Sequence, residues 1–326
     1  MLLTRIIATG SYLPEKVLTN FDLERMVDTS DEWIRTRTGI AERHVASDSE
    51  ATSDLGSMAA QRALQKAGMK AEEIDLILVA TITPDMFFPS TACFIQHKIG
   101  ARNAAAFDLS AACSGFIYGL SIADSFIRTG TFRNILLIGA ETLTKVTDWR
   151  DRSTCVLFGD GAGAVILRGD EGKSGLLSTH LYCDGSLAGL LYLPGGGSRN
   201  PASLESVRQG LHYIKMNGNE TFKVAVRSLE QACHDALSHN SLDASQIDLL
   251  IPHQANYRII QAVASRLGIP MERVYVNLGK YGNTSAASIP LALDEAVESG
   301  RIERGDLLLL CSFGGGMTWA SAVIRW

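Results

Sequence analysis

Glu73-Ile74-Asp75-Leu76-Ile77-Leu78 in the first half of the chain is echoed by Gln246-Ile247-Asp248-Leu249-Leu250-Ile251 in the second. Each segment leads from polar residues into a short apolar run, the pattern of a strand buried on both faces. Outward from this pair, Asn134 to Ile138 is echoed by Asp306 to Leu310, and each half finishes on a small-residue strand, Ala162 to Ile166 and Ser321 to Ile324. Further strand-like runs span Ile74 to Ile82, Ala104 to Leu109, Ile135 to Gly139, Ala162 to Leu167, Ile247 to Ile251, Arg273 to Val276 and Asp306 to Ser312. Helical spacing separates them. Thr52 and Ser53 are candidate caps for a helix ending near Gly68; Phe116 to Arg128 closes at Gly130; Thr221 to His239 is amphipathic; Asn256 to Leu267 stops at Gly268 with Pro270 beyond. Alternation of this kind is α/β. Two similar halves, 1–173 and 174–326, would point equivalent helix N-termini at one central site, although α/β segments resemble one another even without duplication.

With 326 residues the chain can bury a large core, and 46% hydrophobic with 20% charged residues is an ordinary globular composition. The net charge of -5 argues against a general nucleic-acid binder. Met1 to Thr9 carries Arg5 and alternates like a strand rather than a signal segment, and no stretch has the apolar length of a spanning helix. Six cysteines stand at 93, 113, 155, 183, 233 and 311 without a C-x-x-C pair, so no zinc motif or disulfide framework is read. Reduced thiols in a cytoplasmic protein without a metal or membrane insertion are expected. Leu190 to Gly210, with Pro194-Gly195-Gly196-Gly197-Ser198 and Pro201, reads as a surface loop between the halves.

Cys113 is the leading candidate for chemistry. It falls at the turn from Ala104–Leu109 into the helix from Phe116, where unpaired N–H groups and the helix dipole favour a thiolate. Against this stands the common fate of a free cysteine, which is inert packing, and the other five are read that way. In the register of the repeat Cys113 aligns approximately with Asn283, between Arg273–Val276 and a helix over Ser285 to Ala296. His253 follows Leu249-Leu250-Ile251-Pro252, at a strand's carboxyl end where α/β folds bind ligands; a loop histidine satisfying a carbonyl is the competing reading. Asn283 in Gly282-Asn283-Thr284-Ser285 is equally a helix cap. Gly314-Gly315-Gly316 reads as a hairpin or as the close backbone approach that an oxyanion donor needs. The remaining histidines, 44, 97, 180, 212, 234 and 239, are read as structural or exposed.

Ala112-Cys113-Ser114-Gly115, His253-Gln254-Ala255-Asn256, Gly282-Asn283-Thr284-Ser285 and Phe313-Gly314-Gly315-Gly316-Met317-Thr318-Trp319 together closely resemble the motifs of β-ketoacyl-acyl carrier protein synthase III, a thiolase-fold condensing enzyme. Asp31 to Ile40 and Phe158-Gly159-Asp160-Gly161-Ala162-Gly163-Ala164 match as well, so the resemblance runs end to end. It implies two βαβαβαββ halves in five α-β-α-β-α layers. It implies an acyltransferase without cofactor, priming type II fatty-acid synthesis: Cys113 accepts an acyl group, most simply acetyl, from acyl-CoA, and malonyl-acyl carrier protein condenses with it after losing carbon dioxide. By resemblance His253 and Asn283 hold the enolate, and the backbone N–H groups of Cys113 and Gly315 form the oxyanion hole. Trp33, Arg37, Arg152 and Asn256 take CoA and its pantetheine arm. Leu143 and Phe158 line the acyl pocket, and Phe88 reaches the pocket of a partner subunit in a homodimer. Gln254, Arg258 and Arg266 form a carrier-protein docking face, with Ser265 standing where the family has a second basic residue. A related synthase of secondary metabolism and a non-catalytic carrier-binding subunit are the alternatives. A thiolase proper ranks lower, because Cys311 precedes the terminal glycines instead of occupying the second catalytic cysteine's setting.

Overall fold

The computed structural model describes residues 2–326. Two sheets form the frame. In the first, Leu2–Tyr12 pairs antiparallel with Asp160–Glu171, which pairs antiparallel with Asn134–Thr142; Leu76–Ala80 and then Ala105–Leu109 follow in parallel. In the second, Gly175–Cys183 pairs antiparallel with Thr318–Arg325, that strand antiparallel with Leu307–Gly314, and Leu249–Pro252 follows in parallel. Order and polarity repeat strand for strand. The fifth position of the second sheet is only the isolated bridge Leu250–Val274, so the strand expected over Arg273 to Val276 is a single rung after a 3₁₀ turn at Met271–Arg273.

Side-chain alternation along the strands builds the layers. Leu76, Leu78, Ile135 and Leu137 face inward onto the helices Gly115–Arg128 and Ser288–Glu298, which also meet Leu249, Leu308 and Ala322 of the second sheet. Ile77, Val79, Leu136 and Ile138 face outward, under the helices Thr52–Ala67 and Thr91–Ile99. Leu250, Leu309 and Val323 pack outward under Gly218–His239 and Tyr257–Leu267. Five layers, α-β-α-β-α, result. The two middle helices are enclosed between sheets, which is why their sequences are apolar on several faces.

Local details differ from the sequence reading in three places. Thr52 and Ser53 do not cap: the N-cap is Ala51, whose N–H donates to Asp54 Oδ2, while the Thr52 hydroxyl donates to Thr83 O and Ser53 bonds Asp85. The Leu190–Gly210 segment is more ordered than a plain loop, holding the strand Leu191–Tyr192, paired with Lys215–Met216, and the helix Leu204–Arg208. Finally, Ala112 and Ser285 are the two residues at φ 48, each opening a 3₁₀ turn, Ala112–Ser114 and Ser285–Ala287, ahead of a central helix. The structural counterpart of Cys113 is therefore Ala286, and Asn283 precedes its turn.

Candidate active site

The Ser285–Ala287 turn packs directly on the strand Asn134–Thr142 because Gly139 has no side chain: a Cβ there would stand 2.2 Å from the Ala286 carbonyl oxygen. The glycine-rich hairpin after Leu307–Gly314 closes over Cys113 for a similar reason, since a Cβ on Gly314 would stand 2.5 Å from the Cys113 nitrogen. Thr318 Oγ1 donates to Ala111 O (2.8 Å) and Ser114 Oγ donates to Thr318 O (3.1 Å), tying the terminal strand to the cysteine turn.

Cys113 lies between two cavities. One, of about 360 Å³, is lined by apolar side chains including Ile82, Leu143, Phe158, Leu191 and Ile214, with Cys113, Ser285 and Gly315 at one end. The other, of about 300 Å³, runs from Trp33, Arg37 and Asn256 past Phe222 to His253, Asn283 and Cys113. Cys113, Phe158 and Leu191 border both. At the outer end the Arg152 and Arg37 guanidinium carbons stand 4.9 and 6.0 Å from the Trp33 ring centre, giving a half-buried aromatic face flanked by two exposed cations. Asn256 caps its helix by accepting from Arg258 N–H and donates to Arg37 O (3.1 Å), fixing the channel wall.

The hydrogen bonds decide which atoms face the thiol. The Ser288 hydroxyl accepts from the Gln254 N–H at 2.7 Å, and its one other partner among the described residues is His253 Nδ1 at 2.9 Å, the acceptor that satisfies its proton in this buried site. His253 is then the Nε2–H tautomer. Burial pushes its pKa down to about 3, so the ring is neutral at physiological pH. Asn283 Oδ1 accepts from Ser285 N–H (2.9 Å), which leaves its NH₂ as the outward group. Two neutral donors thus share a channel wall with Cys113. The thiol is buried, and desolvation pushes it up to about 12, overriding the helix N-terminus that the sequence reading credited with favouring a thiolate.

Two family models match, described as 3-oxoacyl-[acyl-carrier-protein] synthase III over residues 107–185 and its C-terminal domain over 237–326. A β-ketoacyl-[acyl-carrier-protein] synthase III of Caldanaerobacter subterraneus subsp. tengcongensis is 58% identical over 98% of this chain and 97% of its own. The chain belongs to the β-ketoacyl-[acyl-carrier-protein] synthase III family. Solved synthase III structures from Aquifex aeolicus (53% identity, TM-score 0.93, 99% and 100% of the chains) and Thermus thermophilus (48%, 0.93, 99% of each) superpose over its length. A synthase III chain is a condensing acyltransferase with the thiolase-like fold, as the sequence motifs implied.

Within this synthase III the residues read from the sequence fall into three groups. Cys113, His253, Asn283, Gly315, Trp33, Arg37, Asn256, Leu143 and Phe158 line the two joined cavities, and Arg152 stands against Trp33 at their mouth. Phe88 points away, 84% exposed, and does not line the cavity of its own chain. Of the docking residues, Arg258 is exposed over the Phe222 ring and Arg266 is ion-paired with Glu230. Gln254 is a correction: it is 1% exposed, donates to Pro252 O and Tyr275 O, and accepts from Asn277 and Leu278 N–H. A side chain with both ends committed inside the core cannot meet a partner.

Ser288, Ser285 and Glu141 were missed. Glu141 had a visible signal, a carboxylate closing the apolar run Ile135 to Ala140. It is fully buried, and its Oε2 accepts from Thr81 Oγ1, Ile82 N–H, Thr83 N–H and Thr83 Oγ1. Ser285 and Ser288 were hidden because serines near a helix start read as caps.

Proposed function

We propose that this enzyme carries out the priming condensation of fatty-acid synthesis, joining an acyl group from acyl-CoA to malonyl-acyl carrier protein with release of CoA and carbon dioxide. The observation that carries the reading is the position of Cys113 at the junction of an apolar cavity and a channel walled by two neutral donors. The Cys113 sulfur attacks the thioester carbonyl; the backbone N–H groups of Cys113 and Gly315 take the oxyanion, each worth about 3 kcal/mol. The acyl chain lies among Leu143, Phe158 and Ile214, and CoA leaves along Trp33, Arg37 and Arg152. Malonyl thioester then enters the same channel. As carbon dioxide departs, the enolate oxygen takes hydrogen bonds from His253 Nε2–H and Asn283 Nδ2–H, and its carbon attacks acyl-Cys113.

Neutral donors suit this chemistry because a carboxylate at either position would repel malonate and enolate alike. No metal or cofactor enters the scheme, and both thioesters are substrates. The two halves, 1–173 and 174–326, divide the work, the first supplying the nucleophile and the second the donors. The chain acts in the cytoplasm as a homodimer. Ala105–Leu109 is an edge strand with Phe107 partly exposed, and Phe87 and Phe88, ahead of the helix Thr91–Ile99, are 78% and 84% exposed, apolar groups suited to a second copy. Arg258 is the cation best placed for an acidic carrier protein. Incubation with radiolabelled acetyl-CoA is expected to label the wild type and not Cys113→Ala; equal labelling of both refutes the nucleophile assignment.

A further inference from the structure

If Cys113 is the acyl-accepting nucleophile, its proton needs somewhere to go, since the buried side chain rests as a thiol. His253 is not the acceptor: Nε2 already carries its proton and Nδ1 is occupied by the Ser288 hydroxyl. Among the described residues Ser285 and Glu141 offer another path. Ser285 borders the acyl cavity together with Cys113, is held at φ 48, and its hydroxyl is buried without a hydrogen-bond partner. Glu141 follows Gly139 by two residues on the same strand face, the face that meets the Ser285–Ala287 turn. Burial raises the pKa of both the Cys113 thiol and the Glu141 carboxyl, the Ser285 hydroxyl opposes that rise in each, and in the resting structure it bonds neither.

The carboxylate is oriented to receive. Thr83 Oγ1 accepts from Thr142 N–H (2.9 Å), so its proton is directed to Glu141 Oε2 at 2.6 Å. Oε2 is thereby crowded with donors, while Oε1 accepts only a long bond from Ile82 N–H at 3.3 Å. We propose that Ser285 and Glu141 form a proton relay for Cys113, in which Ser285 takes the thiol proton as it passes its own to the Glu141 carboxylate. The S–H bond breaks as the sulfur lone pair forms the bond to the thioester carbon; collapse expels CoA thiolate, and the proton returns from Glu141 through Ser285 to that thiolate. Nothing is oxidised or reduced; Ser285 and Glu141 regain their starting forms, Cys113 is left as the acyl thioester, and its proton leaves on CoA. Burial raises Glu141 to about 7, so it is partly ionised at neutral pH and able to hold the proton for one step.

The test separates the half-reactions by rapid quench. Ser285→Ala should acylate from acetyl-CoA about 100-fold more slowly than wild type, while enzyme loaded to completion condenses with malonyl-acyl carrier protein at the wild-type rate. Glu141→Gln should show the same split, and the double variant should be no slower than either single one, because one chain is cut only once. Should Glu141→Gln fail to fold, Ser285→Ala decides alone. Acylation of Ser285→Ala within about threefold of wild type overturns the relay, as does equal slowing of both half-reactions or a multiplicative loss in the double variant. A wild type that takes no label overturns the Cys113 reading itself, so the two failures are distinct.

Discussion

Replacing Asn283 by aspartate tests the neutral-donor argument with almost no change of shape. The aspartate keeps the Oδ1 that accepts from Ser285 N–H at 2.9 Å and exchanges only Nδ2 for oxygen. Burial favours its protonated form, so at low pH it still offers one donor; as pH rises it ionises. The ionised form loses a donor worth about 3 kcal/mol. It also places charge against charge, which at about 4 Å and an effective dielectric constant of about 20 costs roughly 4 kcal/mol. Together, about 7 kcal/mol corresponds to a rate loss of roughly 10⁵. The assay is carbon dioxide release from malonyl-acyl carrier protein by pre-acylated enzyme between pH 6 and 9, with acetyl labelling of Cys113 as the control for an intact site. The N283D rate should fall steeply with rising pH while labelling persists. A rate at pH 9 within about tenfold of wild type would refute the reasoning.

Ser288→Ala should free His253 Nδ1 and allow both neutral tautomers; loss of a hydrogen bond worth about 1 kcal/mol predicts condensation about fivefold slower, with ¹⁵N shifts of His253 moving from a pure Nε2–H pattern to a mixture. Trp33→Ala should raise the KM for acetyl-CoA about tenfold through the lost stacking surface and its two cation contacts, leaving kcat unchanged in steady-state kinetics. Gln254→Ala should lower stability by about 2–3 kcal/mol in denaturant titrations, because it strands buried N–H and C=O groups, while carrier-protein affinity stays as in wild type.

How far the sequence carried the reading depends on what each residue touches. The strands at Leu76–Ala80 and Leu249–Pro252 were legible because burial on both faces leaves an unbroken apolar run. Gly175–Cys183 was not: Ser178, Thr179 and His180 break that pattern, and pairing with Thr318–Arg325 makes it a strand. Cys113, His253 and Asn283 stood out by motif, yet the match of Cys113 to Asn283 was three residues out, since only the backbone at Ala112 and Ser285 reveals the true register. Gln254 was a docking residue by resemblance, but beside Pro252 O its partners Tyr275, Asn277 and Leu278 come from a distant segment that folds over it. Ser288 acquires meaning only through Gln254 N–H and His253 Nδ1, two partners about 35 positions away in the chain that the fold brings to it.

The central claim is that one thiol carries the acyl group from the first substrate to the second. Loading the enzyme with labelled acetyl-CoA, removing free thioester and chasing with unlabelled malonyl-acyl carrier protein tests it directly. The account predicts one acetyl group per chain on the Cys113 peptide, all of which moves into the carrier-bound 3-ketoacyl product during the chase. Label that stays on the protein while product forms, or that maps to a residue other than Cys113, would contradict it.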